Sequence, residues 1–261
     1  MIFMDCELIH IKENTYVLSA GDSYIGMYRF GKRSVVLIDT GRDEQEAVME
    51  FLEKEDIRPL AIINTHLHID HIGCNDLLKE KYQCDVYVSM EEIGHEIEAG
   101  YIERLEVTAN PHEGKLDVSG YDFDIIPLPG HSHGHQGIAT PDGVCFLGDA
   151  IMSEDVLNAC RMPYHFDINA ALDSMSKIKT LDYSVFVLSH RCICGREELT
   201  RAANANLKKE EHFREIINRL DSGRISSEKL AVLFMNEIGI SKQKQDIEWV
   251  WDTAEARVKE R

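Results

Sequence analysis

Three histidines and an aspartate lie within the seven residues Thr65-His66-Leu67-His68-Ile69-Asp70-His71. This stretch follows the apolar run 60–63, and a short apolar run that ends in polar residues is typical of a buried strand leading into a loop. Neutral imidazole nitrogens and carboxylate oxygens are ligands of zinc and similar divalent ions. Positions 66 and 68 can reach one ion while 70 and 71 turn towards another. The stretch therefore predicts a metal site at the C-terminal end of a strand.

Composition favours an acidic globular protein that acts on small molecules. The 261 residues are 44% hydrophobic, which is enough for one large domain or for one domain with a smaller appendage. The formal net charge is -18, and the acidic excess lies before residue 196. A surface of that sign repels phosphate backbones, so nucleic acid is disfavoured as a substrate or partner.

The cysteines and the N-terminus favour a cytoplasmic protein. The seven cysteines are an odd number and are scattered, apart from Cys192-Ile193-Cys194, which argues against a secreted disulfide framework. The first residues lack a basic region, and no segment has the length of an apolar membrane span, so no membrane association is expected. Cys74 is interpreted as a small buried residue and not as a nucleophile.

Alternating strand and helix patterns predict a layered α/β protein. Thr40 and Asp43 have the spacing of a capping box for a helix that ends near residue 55. Residues 90–109 are expected to form helix or irregular cover over the site. Later segments include the turn 141–143 and, from Arg196 onwards, helices. The predicted strands are 8–11, 16–18, 25–30, 35–38, 60–63, 86–88, 123–127, 137–140, 144–147 and 185–188, and the predicted helices include 72–82 and 169–178.

Three further polar clusters each follow a predicted strand. The cluster 129–135 contains His131, Asp149 follows the strand 144–147, and His190 follows the strand 185–188. Strands that lie side by side would bring these residues to one edge. The motif His-x-His-x-Asp-His at 66–71, with these elements in order, resembles the metallo-β-lactamase fold superfamily. The resemblance is to its zinc hydrolase branch, near glyoxalase II and related thioesterases and lactonases.

The resemblance implies an α/β fold, a four-layer αββα sandwich over residues 1–195 with a C-terminal helical appendage over 196–261. It also implies two divalent metal ions, expected to be zinc, with iron or manganese as alternatives. A hydroxide that bridges the ions would hydrolyse a small-molecule ester, thioester or lactone. By motif, His66, His68 and His131 would bind the first ion, and Asp70, His71 and His190 the second, with Asp149 bridging. Asp70 would also orient the nucleophile.

Two other activities of the same fold stay open at this point. One is a mononuclear iron dioxygenase of the persulfide dioxygenase type, which keeps a similar histidine motif. The other is a phosphodiesterase or nuclease, which the acidic charge disfavours. A flavodiiron reductase is disfavoured because that motif usually has glutamate where this chain has His68. The basic residues that bind glutathione in a true glyoxalase II are not recognisable in this sequence.

Several residues outside the ligand set carry weaker expectations. His135 is expected to position its loop by hydrogen bonding, and His133 is expected to point to solvent. Cys192 and Cys194 could approach the site or bind a further metal, and Tyr164 and Met162 could line the pocket. The remaining histidines are expected at the surface or in packing, and they are His10, His95, His112, His165 and His212.

Two apolar stripes occur in the last sixty residues. One comprises Leu230, Leu233, Phe234 and Ile238 and should end at Gly239, and the other comprises Ile247, Val250, Trp251, Ala254 and Val258. An amphipathic helix must bury its stripe, so these helices pack either on the body of the protein or on a second subunit, as a homo-oligomer. Packing on the body beside the site is favoured, with Trp249 facing the substrate.

Overall fold

The computed structural model describes residues 6–19, 21, 23–42, 45–93, 95, 105–240 and 248–259. Its strands are β1 Glu7–Lys12, β2 Thr15–Ser19, β3 Tyr24–Phe30, β4 Ser34–Ile38, β5 Arg58–Ile63, β6 Asp85–Ser89, β7 Thr108–Asn110, β8 Gly114–Val118, β9 Tyr121–Pro127, β10 Gln136–Ala139, β11 Val144–Phe146, β12 Val185–Leu188 and β13 Cys192–Gly195. Its helices are α1 Gln45–Lys54, α2 Ile69–Ile72, α3 Asn75–Tyr82, α4 Met90–Ile93, α5 Glu154–Ala159, α6 Ile168–Ile178, α7 Arg196–Leu220, α8 Ser227–Glu237 and α9 Glu248–Lys259.

Two mixed sheets form the centre of the fold. The first sheet has seven strands in the order β1 to β7, antiparallel up to β4 and parallel from β4 to β7. The second has six strands in the order β13-β12-β11-β10-β9-β8, with β11 and β12 parallel. The parallel pairs matter for the site because their C-terminal ends meet at one edge.

Side-chain alternation along the strands builds the layers. Val36 and Ile38 of β4 face the second sheet, where they join Phe123, Phe146 and other buried residues. Val35 and Leu37, on the opposite face, pack with residues of α1 and α3. Helices α6 and α7 cover the second sheet in the same way. The result is the predicted αββα sandwich with additional C-terminal helices.

The predicted strands are present, with boundaries that differ by at most two residues, but the helix predicted over 72–82 is interrupted. The chain forms α2, then Gly73 and Cys74, then α3. The amide of Gly73 donates to the Gly41 carbonyl at 2.7 Å, and a Cβ at position 73 would lie 2.0 Å from the Arg42 carbonyl oxygen. Close backbone contact therefore breaks the helix here.

The capping box predicted at Thr40 is also not formed as expected. The Thr40 hydroxyl donates to Asn75 Oδ1 at 2.7 Å and accepts from the amide of Cys74 at 3.2 Å, while α1 begins at Gln45. Asp43 lies outside the described residues. Thr40 therefore ties the end of β4 to the metal motif. Part of the cover predicted over 90–109 also lies outside the described residues, and the rest forms α4 and β7.

The C-terminal helices pack on the body of the protein. Val250, Ala254 and Val258 of α9 are buried in one cluster with Met162 of the body and with Phe213 and Phe234 of α7 and α8, as the stripe predicted. Leu233 belongs to the predicted stripe of residues 230–238, but its side chain is 37% exposed and not buried. Ile247 and the side chain of Trp249 lie outside the described residues. No helix in the described part of the chain is long and apolar enough to cross a membrane.

Candidate metal centre

Strand register gathers the predicted ligands at one edge. In the parallel pair β11–β12, Phe146 is opposite Val187, so the chain delivers Asp149 and His190 at corresponding positions three residues later. In the pair β4–β5, Ile38 is opposite Ile63. Asp39 therefore emerges beside the start of the histidine motif.

His66, His68 and His131 form one compact set. His68 Nδ1 lies 3.0 Å from His66 Nε2 and 2.8 Å from His131 Nε2. Burial, together with the neighbouring imidazoles, lowers the pKa of His66 and of His131 well below the ordinary value. Burial likewise lowers the pKa of His68 to about 4. All three rings are therefore neutral at pH 7, as metal ligands must be.

The hydrogen bonds behind two of these rings fix which nitrogen carries a lone pair. His131 Nδ1 donates to the Tyr164 carbonyl at 3.0 Å, because a carbonyl oxygen can only accept. The Thr65 hydroxyl donates to Asp39 at 2.7 Å and so accepts from His66 Nδ1 at 3.0 Å. Both Nε2 atoms then present lone pairs towards His68 Nδ1. A cation between the three nitrogens satisfies them together.

Asp70, His71, Asp149 and His190 form the second set. His71 Nε2 lies 3.5 Å from Asp70 Oδ2 and 3.6 Å from Asp149 Oδ2, and His190 Nε2 lies 3.2 Å from Asp149 Oδ2. Among the described residues, neither His71 Nε2 nor Asp149 Oδ1 has a hydrogen-bond partner, although both atoms are buried. Buried polar atoms without partners fit a site whose ligand is a metal ion.

Asp149 lies between the two sets. Its Oδ2 atom is 3.2 Å from His190 Nε2 and 3.7 Å from His131 Nε2 of the first set. Burial raises the pKa of Asp149, but the nearby His71 and His190 rings, with a hydrogen bond from His190, outweigh burial and hold this pKa well below the ordinary value. The carboxylate is therefore ionised and lies within 3.7 Å of a histidine nitrogen of each set. The seven predicted ligands come together as two adjacent sets that fit a binuclear site.

Asp39 supports both sets by hydrogen bonding, a role that the sequence did not predict. Its carboxylate accepts from the amide of Thr65 at 2.8 Å, from the Thr65 hydroxyl at 2.7 Å and from His71 Nδ1 at 2.8 Å. Through Thr65 it orients His66, and it orients His71 directly. One buried carboxylate therefore fixes a histidine in each set.

The loop that carries His131 is held by two further buried residues. His135 Nε2 accepts from the amide of Asp149 at 3.0 Å, as predicted for a residue that positions the loop. Glu92, which sequence reasoning missed, accepts from the Ser132 hydroxyl at 2.5 Å and from the amide of Gly134 at 2.7 Å. Gly130 has φ +124, and a Cβ there would lie 2.2 Å from the Ala171 amide nitrogen. These contacts fix the backbone around His131.

The C-terminal helices contact the segment that orients His131. Arg257 donates to the Pro163 carbonyl at 2.9 Å and forms a buried bidentate pair with Glu210, at 2.8 and 2.6 Å. The Thr253 hydroxyl accepts from the amide of His165 at 2.8 Å. Tyr164, between these two anchored residues, provides the carbonyl that accepts from His131. Helix α9 is therefore linked to a predicted ligand through a single short segment.

A cavity of about 930 Å³ opens over the ligands. Tyr164 and Met162 line it, as predicted. His133 was predicted to point to solvent, but its ring packs between two others. The ring centroid lies 3.7 Å from that of His95 and 3.7 Å from that of Phe166. The glycine-rich setting of His133 suggested an open loop, but aromatic neighbours distant in sequence cover the ring.

The cysteines do not belong to the metal centre. Cys74 is fully buried in the core, as predicted. Cys192 and Cys194 lie on β13, opposite Leu188 and Phe186 of β12. Within the described residues, the groups of three or more side chains close enough to hold an ion are the two sets above, and neither includes these cysteines.

Comparison with known proteins agrees with this geometry. A sequence profile described as "Metallo-beta-lactamase superfamily" matches residues 18–190. The probable metallo-hydrolase YqgX of Bacillus subtilis is 28% identical over 158 residues, which cover 56% of this chain and 67% of that protein. A hydroxyacylglutathione hydrolase of Vibrio campbellii is 27% identical over 203 residues, 76% of this chain and 73% of that one.

Solved structures share the fold. The metallo-beta-lactamase family protein TTHA1429 of Thermus thermophilus superimposes with a TM-score of 0.66 at 18% identity, over 97% of this chain and 90% of that one. The BLEG-1 B3 metallo-beta-lactamase superimposes with a TM-score of 0.58 at 21% identity, over 77% and 99%. The profile match covers more than half of the chain and ends at His190. The chain therefore belongs to the metallo-beta-lactamase superfamily, as a metal-dependent hydrolase.

Proposed function

We propose that the chain is a binuclear hydrolase that cleaves the ester, thioester or lactone bond of a small molecule. The observation that carries this proposal is the pair of adjacent ligand sets, linked by the buried Asp149 carboxylate. In this proposal His66, His68 and His131 bind one ion and Asp70, His71 and His190 bind the other. Two divalent ions, for which zinc is the first candidate, would activate water and polarise the substrate carbonyl.

The chain's own residues complete the proposed reaction. Water adds to the acyl carbon, and the bond from that carbon to sulfur or oxygen breaks, which yields a carboxylic acid and a thiol or alcohol. Asp70 faces the cavity with a side chain that is 21% exposed. Burial raises the pKa of Asp70, but the nearby His71 ring, with Nε2 3.5 Å from the carboxylate, outweighs burial and holds this pKa below the ordinary value. The ionised Asp70 can therefore accept a hydrogen bond from the attacking water and orient it.

The second ligand set also supports hydrolysis over the mononuclear dioxygenase. A single iron held by two imidazoles of the first set and the Asp149 carboxylate would leave His71 Nε2 buried without a hydrogen-bond partner among the described residues. A phosphodiesterase or nuclease is less well supported, because Arg42 is the one guanidinium among the described residues that line the cavity. We also propose that residues 1–195 form the metal-binding unit and 196–261 its appendage.

Activity assays test the proposal. Zinc-loaded protein should hydrolyse at least one compound in a panel of esters, thioesters and lactones, and a chelator should abolish the activity. The Cys74→Ser variant should keep it, because the proposed reaction uses no protein nucleophile. Loss of activity in that variant with metal content intact would contradict the mechanism.

The state of the cysteines supports a cytoplasmic location as a further proposal. None of the seven cysteines forms a disulfide in the described structure, and reduced thiols are usual in that compartment. Activity in the soluble fraction of the source cells, after gentle lysis, would agree with it. Recovery in the culture medium would contradict it.

A further inference from the structure

Three rings form a continuous stack on one wall of the cavity. His133 lies with its ring nearly parallel to that of His95, at an interplanar angle of 11°, and its other neighbour is Phe166, at 45°. All three line the same cavity as the proposed ligands. The amide of Phe166 donates to the Gly130 carbonyl at 2.8 Å, so the stack begins beside the backbone of His131. A substrate whose carbonyl reaches the ions would pass this wall.

Part of this wall is apolar surface that faces the open cavity. Phe166 is 48% exposed and Ile69 is 52% exposed, although large apolar side chains near a structured site are usually covered. Met152, Val156 and Met162 add further apolar surface to the same lining. A substrate group that covers these side chains would gain binding free energy from burial.

The charges of the lining disfavour an anionic substrate. Arg42 is the one guanidinium among the described lining residues, which include no lysine. Asp252 and Glu92 are acidic, and the oxygen Glu92 Oε1 already accepts from Ser132 and Gly134. Recognition of a multiply anionic group normally requires several cations. The described lining of this cavity has apolar and aromatic side chains where such a site would have several cations.

We infer that the site selects uncharged substrates that carry an aromatic group next to the scissile carbonyl, with the His133, Phe166 and His95 stack as the subsite for that group. This inference rests on the proposed hydrolysis for its placement of the carbonyl. Phe166 is the specificity-determining residue, since its exposed side contacts the aromatic group and not the reacting atoms, and His133 supports Phe166 from within the stack. Ring stacking and burial together stabilise the bound aromatic group.

Matched thioesters of one neutral thiol, N-acetylcysteamine, test the selectivity on zinc-loaded protein. The kcat/KM for the phenylacetyl thioester should exceed that for the acetyl thioester by roughly 10- to 100-fold, as expected for filling an apolar pocket. The succinyl thioester, which carries a carboxylate, should be the poorest. In Phe166→Ala the phenylacetyl-to-acetyl ratio should fall about 10-fold, and Phe166→Tyr should keep it. Leu233→Ala, at an apolar position that is 37% exposed and away from the cavity, serves as the control.

A binding measurement separates this inference from the proposed function. Phenylacetamide, an uncharged amide, should bind the zinc-loaded protein saturably in calorimetry, and Phe166→Ala should weaken binding about 10-fold. Binding without hydrolysis of any ester, thioester or lactone in the panel would leave the subsite standing and overturn the proposed function. Hydrolysis with equal kcat/KM for phenylacetyl and acetyl thioesters, or with preference for the succinyl thioester, would overturn the subsite alone.

Discussion

Replacing Arg257 by methionine tests whether the C-terminal helix stabilises the body of the protein. Methionine keeps most of the aliphatic part of the side chain but removes both hydrogen bonds to Glu210 and the one to the Pro163 carbonyl. The two side chains of the ion pair are only 2% and 3% exposed. Breaking a buried ion pair by removing one partner costs about 3–5 kcal/mol, because the other charge stays buried.

The expected loss corresponds to a fall in melting temperature of roughly 6–20 °C for a chain of this size. Thermal unfolding followed by circular dichroism, at one zinc concentration for all variants, measures it. Arg219→Met is the matched control, because Arg219 and Glu237 form an exposed pair whose side chains are 63% and 46% exposed. Such exposed pairs contribute at most about 1 kcal/mol.

A double variant distinguishes a buried charge from general damage. Arg257→Met with Glu210→Met removes both charges and should recover most of the stability, since no buried charge is left unpaired. If Arg257→Met lowered the melting temperature no more than Arg219→Met, the buried pair would not anchor the C-terminal helix. If the double variant were less stable than Arg257→Met, the unpaired charge would not be the cause.

Two further changes probe the ligand sets and the residue behind them. His66→Ala and His190→Ala should each reduce the bound metal from about two ions to about one per chain, because each removes a ligand from a different set. The control His212→Ala, which changes an exposed histidine of α7, should keep both ions. Equal metal content in all three variants would contradict the assignment. Asp39→Asn should weaken metal binding about 10- to 100-fold, because it alters the carboxylate that accepts hydrogen bonds from His71 and Thr65. Competition with a chelator measures the metal affinity. An affinity equal to that of the control Asp85→Asn, which changes an exposed residue, would show that Asp39 does not position the ligands.

The ligands could be predicted from sequence because each follows a strand. The motif at 66–71 follows β5, Asp149 follows β11 and His190 follows β12, so local patterns were enough to place them at strand ends. The structure brings them together through the register of the parallel pairs. Whether they bind metal stays a prediction that the measurements above address.

The supporting residues could not be predicted because their contacts are distant in sequence. Asp39 is 32 residues from His71, Glu92 is 42 residues from Gly134, and Arg257 is 47 residues from Glu210. No local pattern distinguishes these charged residues from surface ones. The exposure of His133 was misjudged for the same reason, since Phe166 is far from it along the chain.

The sequence did not predict the short strands β8 and β13, because polar residues flank or interrupt their apolar pattern. In β8 the residues Leu116 and Val118 are buried and alternate with the exposed Lys115 and Asp117. Strand β13 follows the ligand loop after only one residue beyond His190, and its Cys192 was interpreted as a possible ligand. Pairing with β12 gives this segment its conformation, and that pairing is not visible in the sequence of β13 alone.

Metal content per chain tests the central claim most directly. Elemental analysis of the purified protein, reconstituted with zinc and dialysed, should give two ions per chain. In Asp149→Ala both positions should lose occupancy, because the Asp149 carboxylate lies 3.2 Å from His190 of one set and 3.7 Å from His131 of the other. Retention of two ions per chain in Asp149→Ala would contradict a binuclear centre bridged by this residue.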